Sequence, residues 1–267
     1  MCKLPVFTFV TDGESYREMR HSFEEAGFTQ ARAVFIELRS TGRKGEPEPY
    51  STISQLIRER PEPFVILCHQ DVRLDQGHGF GDLLAQLETL SELDPAWAVV
   101  GNAGGSRRLR VIRCITDPHG ANSYRSLPAR VHSLDENFIV LRTGTRIQCS
   151  DGLAGFHLFA TDLCLNALET RRTAYVIEFH LRHLSPGRKD AAYCAARDRF
   201  VGYWNGRFLV RYVRTTMEVL FLSRSTLLRK SLGREKLRSI AKNHASVGAI
   251  AGILFAPRPK PGSPGRP

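Results

Sequence analysis

Blocks of apolar residues alternate with polar turns along the first 180 positions of the chain. The short apolar runs 6–10, 33–38 and 64–68 are bounded by turn-forming residues, which predicts buried strands. Residues 15–25 and 52–60 instead repeat their apolar side chains at helical spacing, which predicts amphipathic helices. Strands that alternate with helices are typical of a parallel sheet with right-handed crossovers. The sequence therefore predicts an α/β fold.

The alternation continues to about residue 180 and is followed by a longer helical pattern. Ser15 is the predicted N-cap of the first helix, and the glycine-rich stretch 101–105 predicts either a loop that approaches a ligand closely or a plain turn. Further helices are predicted over 80–93, over a segment capped by Thr161 or Asp162 that runs to about 170, and over 191–228. Further strands are predicted over 97–100, 110–115, 138–141 and 174–179.

The predicted strand 64–68 ends abruptly in His69-Gln70-Asp71. Its continuous apolar run is typical of a strand buried on both faces of a parallel sheet, and ligands bind beyond the carboxyl ends of such strands. His69 and Asp71 stand two residues apart at that end, and both side chains can ligate a metal. A polar strand end that only faces water would have the same sequence, so further partners are needed to distinguish the two interpretations.

The formal net charge of the chain is +11, and all of the excess lies near the carboxyl end. Residues 207–267 hold 13 Lys and Arg but 2 Asp and Glu, whereas the two signs balance before them. Over 207–242 the spacing predicts a basic amphipathic helix, which either contacts an anionic membrane surface or packs on the body with a solvated basic face. Nucleic acid is a weaker prediction, because the body is neutral and no nucleic-acid-binding motif occurs.

Composition and cysteine spacing favour a folded cytoplasmic protein. The chain is 42% hydrophobic and 24% charged, and its six cysteines show no paired spacing, as expected in a reducing compartment. No apolar run approaches the roughly 20 residues that cross a bilayer, so we expect at most peripheral contact with the inner face of the cell membrane. Three segments are predicted: a body over 1–188, a basic helical extension over 189–256 and a disordered Pro/Gly-rich tail over 257–267.

Four segments of the body share a characteristic order: Phe64 to Leu74, Leu134-Asp135-Glu136, Gly155 to Leu165, and His183-Leu184-Ser185. Together they resemble the family 2-like bacterial glycosyltransferases, over roughly residues 5–186. The resemblance implies the GT-A fold, a mostly parallel sheet flanked by helices that binds a nucleotide-sugar. It also implies an enzyme that transfers a sugar from a nucleotide-sugar donor to a saccharide or lipid-linked acceptor, with inversion at the anomeric carbon.

The resemblance further implies where a metal and the donor bind. His69 and Asp71 stand at the family's Asp-x-Asp, which holds a divalent cation against the donor's diphosphate, and His183 stands at a late histidine that completes the metal site. His180 is the alternative to His183. Mg²⁺ or Mn²⁺ suits this role, and histidine in place of the first aspartate favours Mn²⁺. Nucleoside contacts are implied for three residues that end the first two strands: Thr11, Asp12 and Glu37.

An inverting transfer needs a carboxylate that accepts the proton of the acceptor hydroxyl. The family's Glu-Asp pair falls near Asp162: without a gap Ala160 stands at the usual base, and with a small shift Asp162 serves as that base. Asp162 could instead cap its helix. Asp151 and Asp135 are reserve bases, or plain solvated loop acids.

Three hypotheses remain open on the sequence. The first is a metal-assisted glycosyltransferase with a carboxylate base. The second, motivated by the altered Glu-Asp pair, is a glycosyltransferase-like protein that binds a nucleotide-sugar or a glycan without catalysis. The third is a basic membrane-surface or nucleic-acid-binding protein on an α/β scaffold.

Overall fold

The structure, a computed structural model, describes residues 3–39 and 45–231. The strands are β1 (Leu4–Val10), β2 (Ala33–Arg39), β3 (Phe64–Cys68), β4 (Val72–Arg73), β5 (Trp97–Gly101), β6 (Ala103–Gly105), β7 (Val111–Asp117), β8 (Gly120–Ser123), β9 (Ala129–Val131), β10 (Ser133–Leu134), β11 (Phe138–Arg142), β12 (Thr173–Val176), β13 (Leu181–His183), β14 (Arg211–Arg214) and β15 (Val219–Leu222). The helices are α1 (Gly13–Glu25), α2 (Pro49–Glu59), α3 (Phe80–Leu93), α4 (Phe159–Glu169), α5 (Ala191–Asn205) and α6 (Thr226–Ser231).

Seven of the described strands form a central sheet in the order β2-β1-β3-β11-β5-β12-β9. β1 pairs in parallel with β2 and β3, and β12 pairs in parallel with β5. β11 lies antiparallel between β3 and β5, and β9 pairs antiparallel with β12 at the edge. Five strands therefore run in one direction and two in the other. The predicted α/β class with a mostly parallel sheet is confirmed.

The central sheet is buried on both faces, as β3 shows. Val65 and Leu67 pack in one core cluster with the α2 residue Ile53. Ile66 packs on the opposite face, in a second cluster that includes Phe23 of α1. Alternate residues of one strand thus fill two cores, which explains why the sequence of β3 is apolar without interruption.

A smaller sheet, β10-β6-β7-β13-β4, lies beside the carboxyl end of β3. The glycine-rich stretch forms the end of β5 and, after Asn102, the strand β6 of this sheet, so the prediction of a loop or turn there is corrected. A side chain at Gly105 would place its Cβ 1.8 Å from the carbonyl oxygen of Arg214, and one at Gly104 would lie 2.3 Å from that of Ser133. These glycines allow close backbone packing within the protein rather than the approach of a ligand.

The region from 191 to 228 also differs from its prediction as one helical pattern. α5 ends at Asn205, and β14 and β15 then form an antiparallel hairpin in which Arg211 pairs with Leu222. The hairpin is rich in Val, Tyr, Phe and Leu, which favour strands and whose short apolar runs do not distinguish helix from strand. Trp204 of α5 and Val213 of β14 are fully buried and belong to the same core cluster as Ile53.

Three helix starts lie earlier than predicted, and one of them is that of α2, which begins at Pro49 rather than at residue 52. Asp12, rather than Ser15, is the N-cap of α1, because its carboxylate accepts hydrogen bonds from the backbone N–H groups of Glu14 and Ser15. α4 begins at Phe159 after Leu158, whose φ of 69° lies in the left-handed region.

Over the described ranges, no helix combines the length and apolarity needed to cross a bilayer. The part of the predicted basic helix beyond residue 231, and the predicted tail 257–267, lie outside the described residues.

Candidate functional site

Three potential metal ligands meet at the carboxyl end of β3. His69 follows β3, Asp71 precedes β4, and His183 ends β13. β13 pairs antiparallel with β4, and the backbone N–H of Leu184 donates to the carbonyl of Asp71 over 3.0 Å. This pairing places Nε2 of His183 3.3 Å from Oδ1 of Asp71, while Nδ1 of His69 lies 3.9 Å from the same oxygen. We refer to His69, Asp71 and His183 as the His-Asp-His cluster.

The cluster favours an ionised aspartate. Burial opposes ionisation, but hydrogen bonding and positive charge from His183 outweigh it, so the pKa of Asp71 lies well below its usual range. For His183, burial opposes protonation, yet the hydrogen bond and charge of Asp71 raise its pKa overall. Partial burial, followed by the charge of His183, lowers the pKa of His69. The carboxylate is therefore available as an anionic ligand near neutral pH.

The donor atoms of the cluster fit a divalent metal ion. One ligand atom from each of the three residues can be chosen so that all lie within 4.8 Å of one another. Two imidazole nitrogens and one carboxylate oxygen suit Mn²⁺ and other transition metals better than Mg²⁺, which prefers oxygen ligands. His180, the alternative to His183, instead places its Nε2 2.9 Å from Oγ1 of Thr116 and is not part of the cluster.

A cavity of about 560 Å³ opens beside the His-Asp-His cluster, and His69 and His183 form part of its wall. Asp135 and Glu136 lie in the same wall, in the segment between β10 and β11. Cationic side chains also line the cavity: Arg113, Arg188 and Lys189. The cavity therefore combines metal ligands, an acidic pair and positive charge, which is the set of groups that a polyanionic ligand and a proton transfer require.

The acidic pair holds two carboxyl groups in different environments. Asp135 accepts hydrogen bonds from Oγ1 of Thr216 at 2.6 Å and from Nδ2 of Asn137 at 2.8 Å. Oε1 of Glu136 is shielded from solvent and has no hydrogen-bond partner among the described residues. Burial, and then the negative charge of Asp135, raises the pKa of Glu136 to about 8. A carboxyl group with such a pKa can exchange a proton near neutral pH.

The side chain of Glu136, which belongs to the segment between β10 and β11, contacts the first turn of α4. Its carboxylate accepts hydrogen bonds from the backbone N–H groups of Ala160 and Leu158. The ungapped form of the sequence resemblance puts Ala160 at the position of the usual base, and the fold brings a carboxylate from another segment next to that position. We did not predict Glu136 as a functional residue. The signal for it was the consecutive acidic pair shortly before the apolar segment 138–141.

Asp162 lies in a different setting from the other predicted acids. Its side chain is fully buried, and Oδ1 accepts hydrogen bonds from Trp204 Nε1 and Ser150 Oγ, both at 2.8 Å. Oδ2 accepts from the backbone N–H of Ser150 at 2.6 Å and from Asn166 Nδ2 at 3.1 Å. Burial raises the pKa of Asp162 to about 6. Asp162 does not line the cavity, and neither does Asp151, which is exposed in a turn.

The residues predicted to contact a nucleoside lie at the ends of β1 and β2. Gln70 connects the first two of them to β3, because its Oε1 accepts from the backbone N–H groups of Thr11 at 2.9 Å and Asp12 at 3.0 Å. Glu37, in β2, accepts a hydrogen bond from Arg39 at 2.9 Å. Thr11 and Asp12 therefore border the same sheet edge as the His-Asp-His cluster, whereas Glu37 lies two strands away from β3.

Comparisons with known proteins find similar chains among curated proteins and among solved structures. No protein-family model matches the chain. The mannosyltransferase PcManGT from Pyrobaculum calidifontis, solved in complex with GDP-Man and Mn²⁺, aligns over 96% of this chain and 76% of its own, with 9% identity and a TM-score of 0.48. A Fuscovulum blasticum protein, ATP synthase subunits region ORF 6, is 37% identical over 186 residues, which are 67% of this chain and 74% of that protein. The chain belongs to the family of this Fuscovulum blasticum protein.

Proposed function

We propose that this protein is a glycosyltransferase that moves a sugar from a nucleotide-sugar donor to a saccharide or lipid-linked acceptor. The observation that carries the proposal is the His-Asp-His cluster at the carboxyl end of β3, whose His69 and His183 line a cavity that Glu136 also lines. Metal ligands and a proton-accepting carboxylate in one cavity suit the transfer of a group that leaves from a diphosphate. The order of motifs in the sequence supports the same assignment.

The cluster would hold the donor through its diphosphate. Asp71 supplies the anionic ligand and the two histidines supply nitrogen ligands, with Mn²⁺ favoured over Mg²⁺ by this donor set. A bound divalent cation would neutralise the charge that develops on the departing nucleoside diphosphate. Arg188 and Lys189 add positive charge to the same cavity. Thr11, Asp12 and Glu37 remain the proposed contacts to the nucleoside.

We propose Glu136 as the base that accepts the proton of the acceptor hydroxyl. Its carboxylate lies in the cavity wall beside Ala160, and one of its oxygens has no hydrogen-bond partner among the described residues. Asp135 raises its proton affinity from the neighbouring position. A base on the opposite side of the sugar from the leaving diphosphate would give inversion at the anomeric carbon. Asp162 is less suited to this role, because its two oxygens already accept hydrogen bonds from buried groups.

A second candidate is a protein of the same architecture that binds a nucleotide-sugar or a glycan without transferring it. The observation that favours it is Ala160, which leaves α4 without an acidic side chain at the position that the resemblance assigns to the base. The two candidates share the donor site and differ in the role of Glu136. Nucleotide binding without transfer to any acceptor would support the second candidate over the first.

The test of the proposed function is turnover of nucleotide-sugars in the presence of Mn²⁺. The wild-type chain is incubated with a panel of nucleotide-sugars, with and without saccharide and lipid-linked acceptors, and the released nucleoside diphosphate is measured. Asp71→Ala should abolish release while circular dichroism remains unchanged. Release that is equal in the wild-type protein and in Asp71→Ala would refute the assignment of this site.

A further inference from the structure

A second cavity lies away from the His-Asp-His cluster and is dominated by positive charge. Its volume is about 380 Å³, and it is lined by Arg107, Arg130, His132, Leu168, Arg211 and Tyr212. None of these residues lines the cavity beside the His-Asp-His cluster. We refer to this second cavity as the arginine pocket.

Three separate parts of the fold supply the arginines. Arg107 comes from the turn between β6 and β7, Arg130 from the edge strand β9, and Arg211 from the start of β14. Like charges held at one cavity repel each other, which costs stability unless an anion compensates them. The described residues that line the pocket include no carboxylate. This cluster of positive charges therefore indicates a site for a negatively charged ligand.

Two carboxylates interact with these arginines through their charge, and both accept hydrogen bonds from other residues. Oε2 of Glu169, whose charge reaches Arg211, accepts a hydrogen bond from Arg207 at 2.7 Å. Oδ2 of Asp94, whose charge reaches Arg130, accepts hydrogen bonds from Thr173 at 2.7 Å and Tyr175 at 2.8 Å. Glu169 and Asp94 therefore lower the positive potential of the arginine pocket, but neither of them lines it.

Arg211 has a buried hydrogen-bond donor for which the described residues supply no acceptor. Its Nε atom is shielded from solvent and has no hydrogen-bond partner among the described residues. Its guanidinium group is held 4.4 Å from the ring centre of Phe208, which fixes the orientation of the planar donor fork. A buried donor without an acceptor destabilises the folded protein, and an anion in the pocket would remove that cost.

His132 completes the pocket as a neutral polar group. Burial, and then the charges of Arg211, Arg130 and Arg107, lowers its pKa to about 4. At neutral pH the ring can therefore donate one hydrogen bond and accept another.

We infer that the arginine pocket binds a phosphate group, either a phosphomonoester or a diphosphate. Guanidinium groups match phosphate oxygens in pairs, and the charges of Arg130 and Arg211 suit a divalent anion. The ligand is either a soluble phosphorylated compound or the headgroup of an anionic lipid. Leu209, which is 62% exposed two positions before Arg211, gives a lipid an apolar contact next to the pocket.

The test measures calorimetric binding of inorganic pyrophosphate to the full chain, with EDTA present so that no metal ion contributes. We expect saturable binding that weakens about tenfold in Arg211→Gln and in Arg130→Gln, since each substitution removes a charged donor. Arg224→Gln is the matched control, because it removes one exposed charge from the same region outside the pocket.

Sedimentation with phosphatidic acid vesicles distinguishes the two sources of phosphate. Vesicle binding that is lost in Arg211→Gln but retained in Arg224→Gln would identify a lipid headgroup. Pyrophosphate binding without vesicle binding would identify a soluble ligand. Absence of binding to both probes, or equal weakening in Arg211→Gln and Arg224→Gln, would overturn the inference. Thermal unfolding of each variant confirms that a loss of binding is not a loss of fold.

Discussion

Nε2 of His183 lies 3.3 Å from Oδ1 of Asp71, although the two residues are far apart in the sequence. The antiparallel pairing of β4 with β13 creates this contact. It also adds a second imidazole to the His69-x-Asp71 sequence, which by itself could be a solvated strand end. The proposed metal site therefore depends on one short strand pair as much as on its ligands.

Removal of the side chain of either Asp71 or His183 should impair metal binding. We expect Asp71→Ala and His183→Ala each to weaken Mn²⁺ binding by at least about tenfold, because each removes one of three ligands. Isothermal titration with Mn²⁺ measures the effect. Glu59→Gln, which removes an exposed carboxylate on α2, is the control and should bind Mn²⁺ as the wild-type protein does. Equal affinity in all four proteins would place the metal elsewhere.

Glu136→Gln should reduce transfer by about 10²-fold or more, the range expected for loss of a general base. In the wild-type enzyme the rate should rise with pH up to about 8, because Glu136 accepts a proton only when it is ionised. The pH profile of the transfer rate measures this limb. The proposal predicts that the limb disappears in Glu136→Gln, whereas nucleotide binding persists. An unchanged profile would assign the base to another residue.

The same carboxyl group should make stability depend on pH. Its pKa is raised from the ordinary 4.5 to about 8 in the folded protein, so the folded state retains a proton that the unfolded state has lost. The free energy of unfolding should therefore fall as pH rises from about 4.5 to about 8. Asp162, whose pKa is raised from 3.8 to about 6, contributes with the same sign at lower pH. Because Asp162 contributes to both proteins, the pH dependence of the free energy of unfolding, measured with urea, should differ between the wild-type protein and Glu136→Gln over the whole range from about pH 4.5 to about pH 8.

Asp162→Ala should act mainly on stability. The substitution leaves the Trp204 indole N–H and the Ser150 backbone N–H without their acceptor, and a buried unpaired donor costs about 1–3 kcal/mol. We expect the free energy of unfolding to fall by about 2–5 kcal/mol, measured with urea. Transfer per folded molecule, measured well below the melting temperature, should change much less than in Glu136→Gln. A stable but inactive Asp162→Ala protein would restore Asp162 as the base.

Gly105→Ala tests the packing of β6 against the hairpin. The new Cβ would lie 1.8 Å from the Arg214 carbonyl oxygen, so backbone has to move, and we expect destabilisation of at least about 2 kcal/mol in urea unfolding. Gly81→Ala is the matched control, since its Cβ meets no atom within 4 Å inside α3. The control should be neutral or stabilising, because alanine favours helix. Equal stability of the two variants would contradict the observed packing.

The local pattern of apolar residues predicted the strands and helices that pack in the core. It did not predict structure that depends on contacts between residues far apart in the sequence. The boundaries of β3 follow from its uninterrupted apolar run, and α3 was predicted over its observed length. The hairpin of β14 and β15 was missed, because short apolar runs are compatible with helix and strand alike. The arginine pocket could not be predicted, since it joins Arg107, Arg130 and Arg211 from three separate segments.

Some residues of the candidate site can likewise be recognised from local sequence, and others depend on the fold. His69 and Asp71 are recognisable from sequence because they follow a buried strand, whereas the partner of Asp71 depends on a strand pair that no local pattern reveals. Asp162 attracts notice as an acid in a helical start, yet its carboxylate is bound to Trp204 of α5, which follows much later in the chain. Glu136, by contrast, was not predicted as a functional residue, because only the fold brings its carboxylate next to Ala160.

The measurement that tests the account most directly is a thermal-shift titration of the full chain with nucleotide-sugars, with and without Mn²⁺, on the wild-type protein and Asp71→Ala. A ligand that binds the folded state alone raises the melting temperature by mass action. We predict that at least one nucleotide-sugar stabilises the wild-type protein only when Mn²⁺ is present, and that Asp71→Ala loses this stabilisation. A shift that is independent of Mn²⁺ and equal in both proteins would contradict a donor site built on the His-Asp-His cluster.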